Sequence, residues 1–287
     1  PLAWIVLAGC QPPAETPPVE AMAAGPVPGT VESADGVPIV YESRGAGDVA
    51  LLFVHGWSCN REFWREQVDV FDDDYRVVTL DLGGHGASGT TRDLWQVRGL
   101  AADVVAVGDA LDLERIVLVG HSRGGPVSLE AARRLQGRVL GVVAVDALQN
   151  AEFEFSPEIV DRMLEGMRAD YPGSVERMFS GMASTMQPEL KNWVVAQARQ
   201  ATPEVAVALM ADYNAIDMAG LFRGAGVPIR AINATSERYP TDVEVNRRHA
   251  DFDVVEMDGV GHFLQLERPD EFNAHLRTIV TELVAGG

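Results

Sequence analysis

Ile116-Val117-Leu118-Val119-Gly120-His121-Ser122-Arg123-Gly124-Gly125 is the stretch that decides how this chain is read. Four consecutive branched apolar residues, too few for a helix, stop on Gly-His-Ser-Arg-Gly, and residues 126–135 continue with helical spacing. The order predicts a buried strand, a tight turn carrying one serine, and a helix. Glycines at 120 and 124 let neighbouring backbone pass close to a strained turn, so that the Ser122 hydroxyl stands clear of the sheet edge. A serine hydroxyl is a poor nucleophile in water. It needs a base to take its proton and donors to hold the oxyanion that its attack creates.

Working outward, the same grammar repeats. Residues 49–54 form a fully apolar run that empties into His55-Gly56-Trp57-Ser58, and residues 76–80 form another that ends in Asp81-Leu82-Gly83-Gly84-His85-Gly86-Ala87-Ser88. Residues 96–113 have helical spacing, and residues 139–145 read as a further buried strand closing on Asp146-Ala147. Residues 228–233 and 252–257 resume the pattern after a long interruption, and residues 269–283 finish as an amphipathic helix. At the front, alternation around Asp35-Gly36 over residues 31–42 predicts an antiparallel hairpin. Strands alternating with helices imply an α/β fold, a doubly wound and mostly parallel sheet with helices on both faces.

The interruption, residues 148–224, has no buried-strand run and carries Pro157, Pro172, Pro188 and Pro203 near expected first helical turns. It reads as an inserted helical cap between two parts of one core, residues 31–147 and 225–287. Seven of the nine methionines lie in it (Met163, Met167, Met178, Met182, Met186, Met210 and Met218), with Phe153, Phe155, Phe179, Trp193 and Phe222. Soft side chains suit a lid over an apolar substrate, although about a third are expected to face a pocket and the rest to form the cap's own core.

Composition narrows the partners. With 23 Lys+Arg against 42 Asp+Glu the net charge is −19, which repels phosphate backbones and anionic membrane surfaces. Nucleic acid is not an expected partner. Two cysteines, Cys10 and Cys59, write no disulfide framework, and no metal-ligand cluster or phosphate-binding fingerprint is visible. No metal and no cofactor is expected. Residues 1–10 are almost wholly apolar and end in Leu7-Ala8-Gly9-Cys10; residues 11–30 are rich in Pro, Ala, Gly and Glu, the composition of a solvated tether.

His55-Gly56-Trp57, the 81–88 turn, Gly120 to Gly124 and Gly261-His262-Phe263, in this order and spacing, resemble the α/β-hydrolase superfamily from about residue 31 to 283. The resemblance implies that Ser122 is the nucleophile and His262, on a loop past the final strand, its base. The base needs an acid to fix its tautomer. Glu237 is the expected one, because it follows the penultimate strand where the family usually carries Asp; Asp146 is the alternative, with Asp242 and Asp258 behind it. Backbone N–H groups of Trp57 and Arg123 are expected to form the oxyanion hole. His55, His85 and His121 are expected to hold loops, and Cys59 to be a packed thiol. The implied activity is hydrolysis of a small-molecule ester through an acyl-enzyme; alternatives are a ligand-binding protein with little turnover and other chemistries on the fold, lactonase, thioesterase, carbon–carbon hydrolase and haloperoxidase among them. Leu7 to Cys10 also resembles the lipobox of bacterial lipoproteins. That implies a chain truncated at its front, a lipid on Cys10, and anchorage in the bacterial cell envelope, at the outer membrane by the Gln11 rule if the cell is Gram-negative.

Overall fold

The computed structural model describes residues 26–154 and 156–287, so Cys10, residues 11–25 of the expected tether and Phe155 lie outside the described residues. The chain opens with a hairpin, β1 (Val27–Glu32) and β2 (Pro38–Arg44), turned at Asp35-Gly36 where Gly36 takes φ +82°. The hairpin begins four residues before the expected start of the core. The buried runs become β3 (Ala50–Val54), β4 (Arg76–Leu80), β5 (Ile116–His121), β6 (Val139–Val145), β7 (Ile229–Ala234) and β8 (Phe252–Met257). They form one eight-stranded sheet in the order β1-β2-β4-β3-β5-β6-β7-β8. β2 runs antiparallel to both its neighbours, β1 and β4; from β4 to β8 every pairing is parallel. The doubly wound, mostly parallel α/β fold is therefore the observed one.

Helices cover both faces. On one face lie α2 (Val97–Ala110) and α3 (Gly124–Arg134); on the other lies α1 (Arg65–Phe71), a seven-residue helix that the sequence reading passed over. Between β6 and β7 stand α4 (Pro157–Ala169), α5 (Tyr171–Met182), α6 (Pro188–Ala198), α7 (Pro203–Ala211) and α8 (Met218–Ala225). Each of Pro157, Pro172, Pro188 and Pro203 sits in a first turn, where its missing N–H costs nothing. The last of these helices, α8, packs along α3 and returns the chain to the sheet, so the helices standing off the sheet are α4 to α7. After α9 (Val243–Arg247) and β8, helices α10 (Leu264–Glu267) and α11 (Pro269–Gly286) join α1 on the second face. No helix among the described residues is long and apolar enough to cross a membrane.

The strand order locates the site. From β3 the chain crosses to β4 on one side, then returns to lay β5 on the other. Loops leaving the carboxyl ends of β3 and β5 thus diverge over a crevice, the place where open α/β sheets bind ligands. Those two loops carry His55-Gly56-Trp57 and Ser122.

Candidate active site

Ser122 occupies the turn between β5 and α3 with φ +53°, a left-handed conformation that a serine adopts only where its surroundings enforce it. Its N–H donates to Val145 O at 3.0 Å, and its carbonyl accepts from Gly125 N at 2.9 Å. The glycines make the turn possible. A Cβ on residue 120 would overlap the Gly124 carbonyl, and one on residue 124 would overlap the carbonyl of Val54. Nothing larger fits where helix, turn and strand cross this closely.

Ser122 and His262 line one cavity of about 690 Å³, its open mouth included. Its walls are largely apolar: Trp57, Val160, Phe179 and Phe263, with Met163, Met178, Met182 and Met210 from the inserted helices. Of the twelve methionines and aromatics marked in the insertion, these four methionines and Phe179 face the cavity. Met167, Met186 and Phe222 are buried elsewhere, and Trp193 packs on Phe63. No hydrogen bond joins Ser122 to His262 among the described residues. Such contacts commonly tighten only when substrate is bound.

His262 is positioned from three sides. Its Nδ1–H donates to Asp146 Oδ2 at 2.5 Å, its main-chain N–H donates to Met182 O at 3.2 Å, and its carbonyl accepts from His121 Nε2–H at 2.8 Å. Asp146 leaves the end of β6 with φ +42°, and its second oxygen accepts the N–H of Ala234 at 3.0 Å. Both carboxylate oxygens are spent on fixed partners, so the imidazole is held with Nδ1 protonated and Nε2 free to accept a proton. The expectation for Glu237 is corrected here. Glu237 lies exposed on the loop after β7 and makes no hydrogen bond to His262 among the described residues. The carboxylate at His262 is that of Asp146, because β6 lies between β5 and β7 and its exit is the nearer to Ser122. Asp242 caps α9 through Val245 N and Asp258 accepts from Thr235, so neither serves His262.

The backbone N–H groups of Trp57 and Arg123 donate to no acceptor among the described residues. The loop that carries Trp57 is clamped by two buried histidines. His55 Nδ1–H donates to Gly56 O at 2.8 Å while its Nε2 accepts from Leu82 N at 3.0 Å. His85 Nδ1–H donates to Gly83 O at 3.0 Å while its Nε2 accepts from Ser58 N at 3.2 Å. Accepting an N–H requires a neutral ring. Burial pushes His55 down to about 4 and His85 to about 3, and it holds His121 well below the ordinary range. These three histidines hold loops, as expected. Cys59 is a buried free thiol whose pKa burial pushes up, so it is a packed side chain and no nucleophile. Asp81 accepts the N–H groups of Arg61 and Ala87, and Ser88 bonds the Asp81 carbonyl, which makes their turn structural.

Arg123 is the residue that sequence reasoning undervalued. It is 3% exposed and lies among the residues that line the cavity. Nη2–H donates to Leu209 O at 2.5 Å, Nη1 lies 3.9 Å from Asp212, and the guanidinium stacks 5.1 Å from the Tyr213 ring centre. Its Nε and Nη1 have no hydrogen-bond partner among the described residues, and desolvation pushes its pKa down. No local signal announces this, because the partners lie more than eighty positions along the chain.

The pattern of the alpha/beta hydrolase family matches residues 51–275. The chain belongs to that family. Over 123 residues it is 39% identical to a non-heme chloroperoxidase of Streptomyces lividans, a match covering 42% of this chain and 45% of that protein. It is 36% identical over 123 residues to a bifunctional esterase/perhydrolase of Acinetobacter calcoaceticus, covering the same shares of the two chains. These matches thus span less than half the length of the curated relatives. Among solved structures, an N-acyl homoserine lactone degrading enzyme superposes with a TM-score of 0.74 at 29% identity, covering 87% of this chain and 99% of that one.

Proposed function

We propose that the protein is a serine hydrolase that cleaves carboxylic esters of small or medium apolar acids through an acyl-enzyme on Ser122. The observation that carries this reading is the pairing of His262 with Asp146 on the wall of the cavity that Ser122 also lines. Ser122 Oγ attacks the ester carbonyl as His262 Nε2 takes its proton, and the imidazolium is stabilised by Asp146. The oxyanion meets the unspent N–H groups of Trp57 and Arg123. His262 then protonates the departing alcohol, and water, activated by the same nitrogen, releases the acid. The inserted helices act as a cap whose thioethers and Phe179 hold the acyl chain.

A second reading has specific support from the relatives named chloroperoxidase and esterase/perhydrolase. Hydrogen peroxide in place of water at the second step would yield a peracid and free Ser122. It uses the same acyl-enzyme. We further propose that a lipid on Cys10 tethers the protein to the bacterial cell envelope, so that Cys10→Ser in the full precursor releases it from membranes.

A fluorophosphonate probe and p-nitrophenyl esters from acetate to palmitate test the main reading. The expected result is one adduct per chain, absent in Ser122→Ala, with turnover highest on short and medium acyl chains. A protein that binds esters under the insertion without labelling or turnover would instead be a ligand-binding member of the fold.

A further inference from the structure

Trp57 and Arg123 share a second property. Each sends its side chain into the same helix of the insertion. Trp57 Nε1–H donates to Ala206 O at 2.8 Å, and Arg123 Nη2–H donates to Leu209 O at 2.5 Å. Positions 206 and 209 are three apart, so both carbonyls lie on one face of α7. Trp57 and Arg123 are 7% and 3% exposed, so neither bond competes with bulk water. Around these two tethers α7 is docked further. Val205 packs on Gly84, in the turn whose His85 fixes Ser58, and Asp212, just past α7, accepts the N–H of Val97 at the start of α2.

We propose that α7 is a clamp that sets the oxyanion hole, so that the two main-chain donors are in register only while α7 is docked. The proposal rests on the reading of Trp57 and Arg123 as the oxyanion donors. A helix is a stiff body, and two anchors on one of its faces fix the separation of the loops that hold them. The loop after β3 and the turn after β5 touch through their backbones, Gly56 lying against His121 and Ser122 and Gly124 against Val54 and His55, and α7 adds a link between the side chains of the two donor residues. Arg123 supports this assignment through its cost: a guanidinium buried with one hydrogen bond among the described residues, a loose ion pair and a ring contact is a poor stabilising device. Its placement is accounted for by position, one residue past Ser122 and against α7. Trp57 and Arg123 are in this sense positioning residues through their side chains. Undocking of α7 as substrate enters or product leaves would switch the hole off, and docking would complete it.

The test uses Trp57→Phe, Arg123→Met and the double variant of the whole chain, none of which removes a main-chain donor. Turnover of a p-nitrophenyl ester is compared with inhibition by a trifluoromethyl ketone of the same acyl chain, whose serine adduct places an oxyanion in the hole. Gln197→Leu is the control, since it removes another bond from core to insertion, Asn60 Nδ2 to Gln197 Oε1 at 2.8 Å, that ties the Trp57 loop to α6 instead of α7. Each single variant is expected to lose about tenfold in kcat and the double about a hundredfold, with the ketone Ki rising in step and KM changing less than about threefold. Gln197→Leu should leave kcat and Ki unchanged. Should Arg123→Met not fold, Trp57→Phe keeps an aromatic ring on Phe179 and carries the tenfold expectation alone. A double variant with kcat and Ki near wild type, or a kcat loss without a matching rise in Ki, overturns the clamp. A dead Ser122→Ala beside an unimpaired double variant removes the clamp alone; hydrolysis surviving in Ser122→Ala removes the serine reading and the clamp together.

Discussion

The strands β6 and β7 each end in a loop bearing an acid that could serve a histidine, and of the two, among the described residues, Asp146 alone meets one. At the exit of β6, Asp146 sits directly on the last residue of the strand, at φ +42°, with both oxygens engaged by His262 and Ala234. At the exit of β7, Glu237 stands three residues beyond the strand on an exposed loop, among Ser236, Arg238 and Tyr239. The difference is one of restraint. A triad acid must hold an imidazole through one oxygen, which requires a carboxylate whose own position is fixed by the sheet; the short stem of Asp146 and its second bond to β7 supply that, and a longer side chain on a free loop does not.

The comparison breaks most severely if Asp146 is altered. Asp146→Asn keeps the shape of the site and offers His262 an amide that no longer selects the tautomer with Nε2 free. We expect kcat on p-nitrophenyl esters to fall by about 10³ to 10⁴, measured with active-site titration. A fall of less than about tenfold would return the role to another acid.

Acid sets the limit of the pH range in which the comparison can be read. His55 and His85 are buried neutral, with values pushed by desolvation to about 4 and about 3. Between their unfolded value near 6.5 and these folded values the unfolded chain binds more protons, so stability is full above about pH 6.5 and declines as pH falls. Each ring should remove about 3 kcal/mol of stability by pH 4. Thermal unfolding from pH 7 to pH 4 is the check; the Tm should drop steeply, and a His85→Asn variant should show a shallower dependence. The smallest effect belongs to β7. Glu237→Gln should leave kcat and KM within about twofold of wild type, as surface changes away from reacting groups do.

Much of this was legible in the sequence, for physical reasons that differ from element to element. Parallel strands buried on both faces are written as short unbroken apolar runs, so β3, β5 and β6 read directly from residues 49–54, 116–119 and 139–145. Ser122 and His262 were legible because each sits in a glycine-bounded turn that has little use apart from close approach. The helix α1 escaped because seven residues are too few for a helical period to stand out. The acid escaped for another reason. Both Asp146 and Glu237 stand after a buried strand, and which exit faces His262 depends on how far each loop travels above the sheet. The burial of Arg123 was beyond local reading, since it is made by Leu209, Asp212 and Tyr213 from the insertion.

The pairing of His262 with Asp146 is the centre of the account, and its direct measure is the far-downfield proton resonance of His262 Nδ1–H, assigned by its absence in His262→Ala. The account predicts that this signal persists unshifted in Glu237→Gln and is lost or moved upfield in Asp146→Asn. A signal that survives in Asp146→Asn and disappears in Glu237→Gln would contradict it.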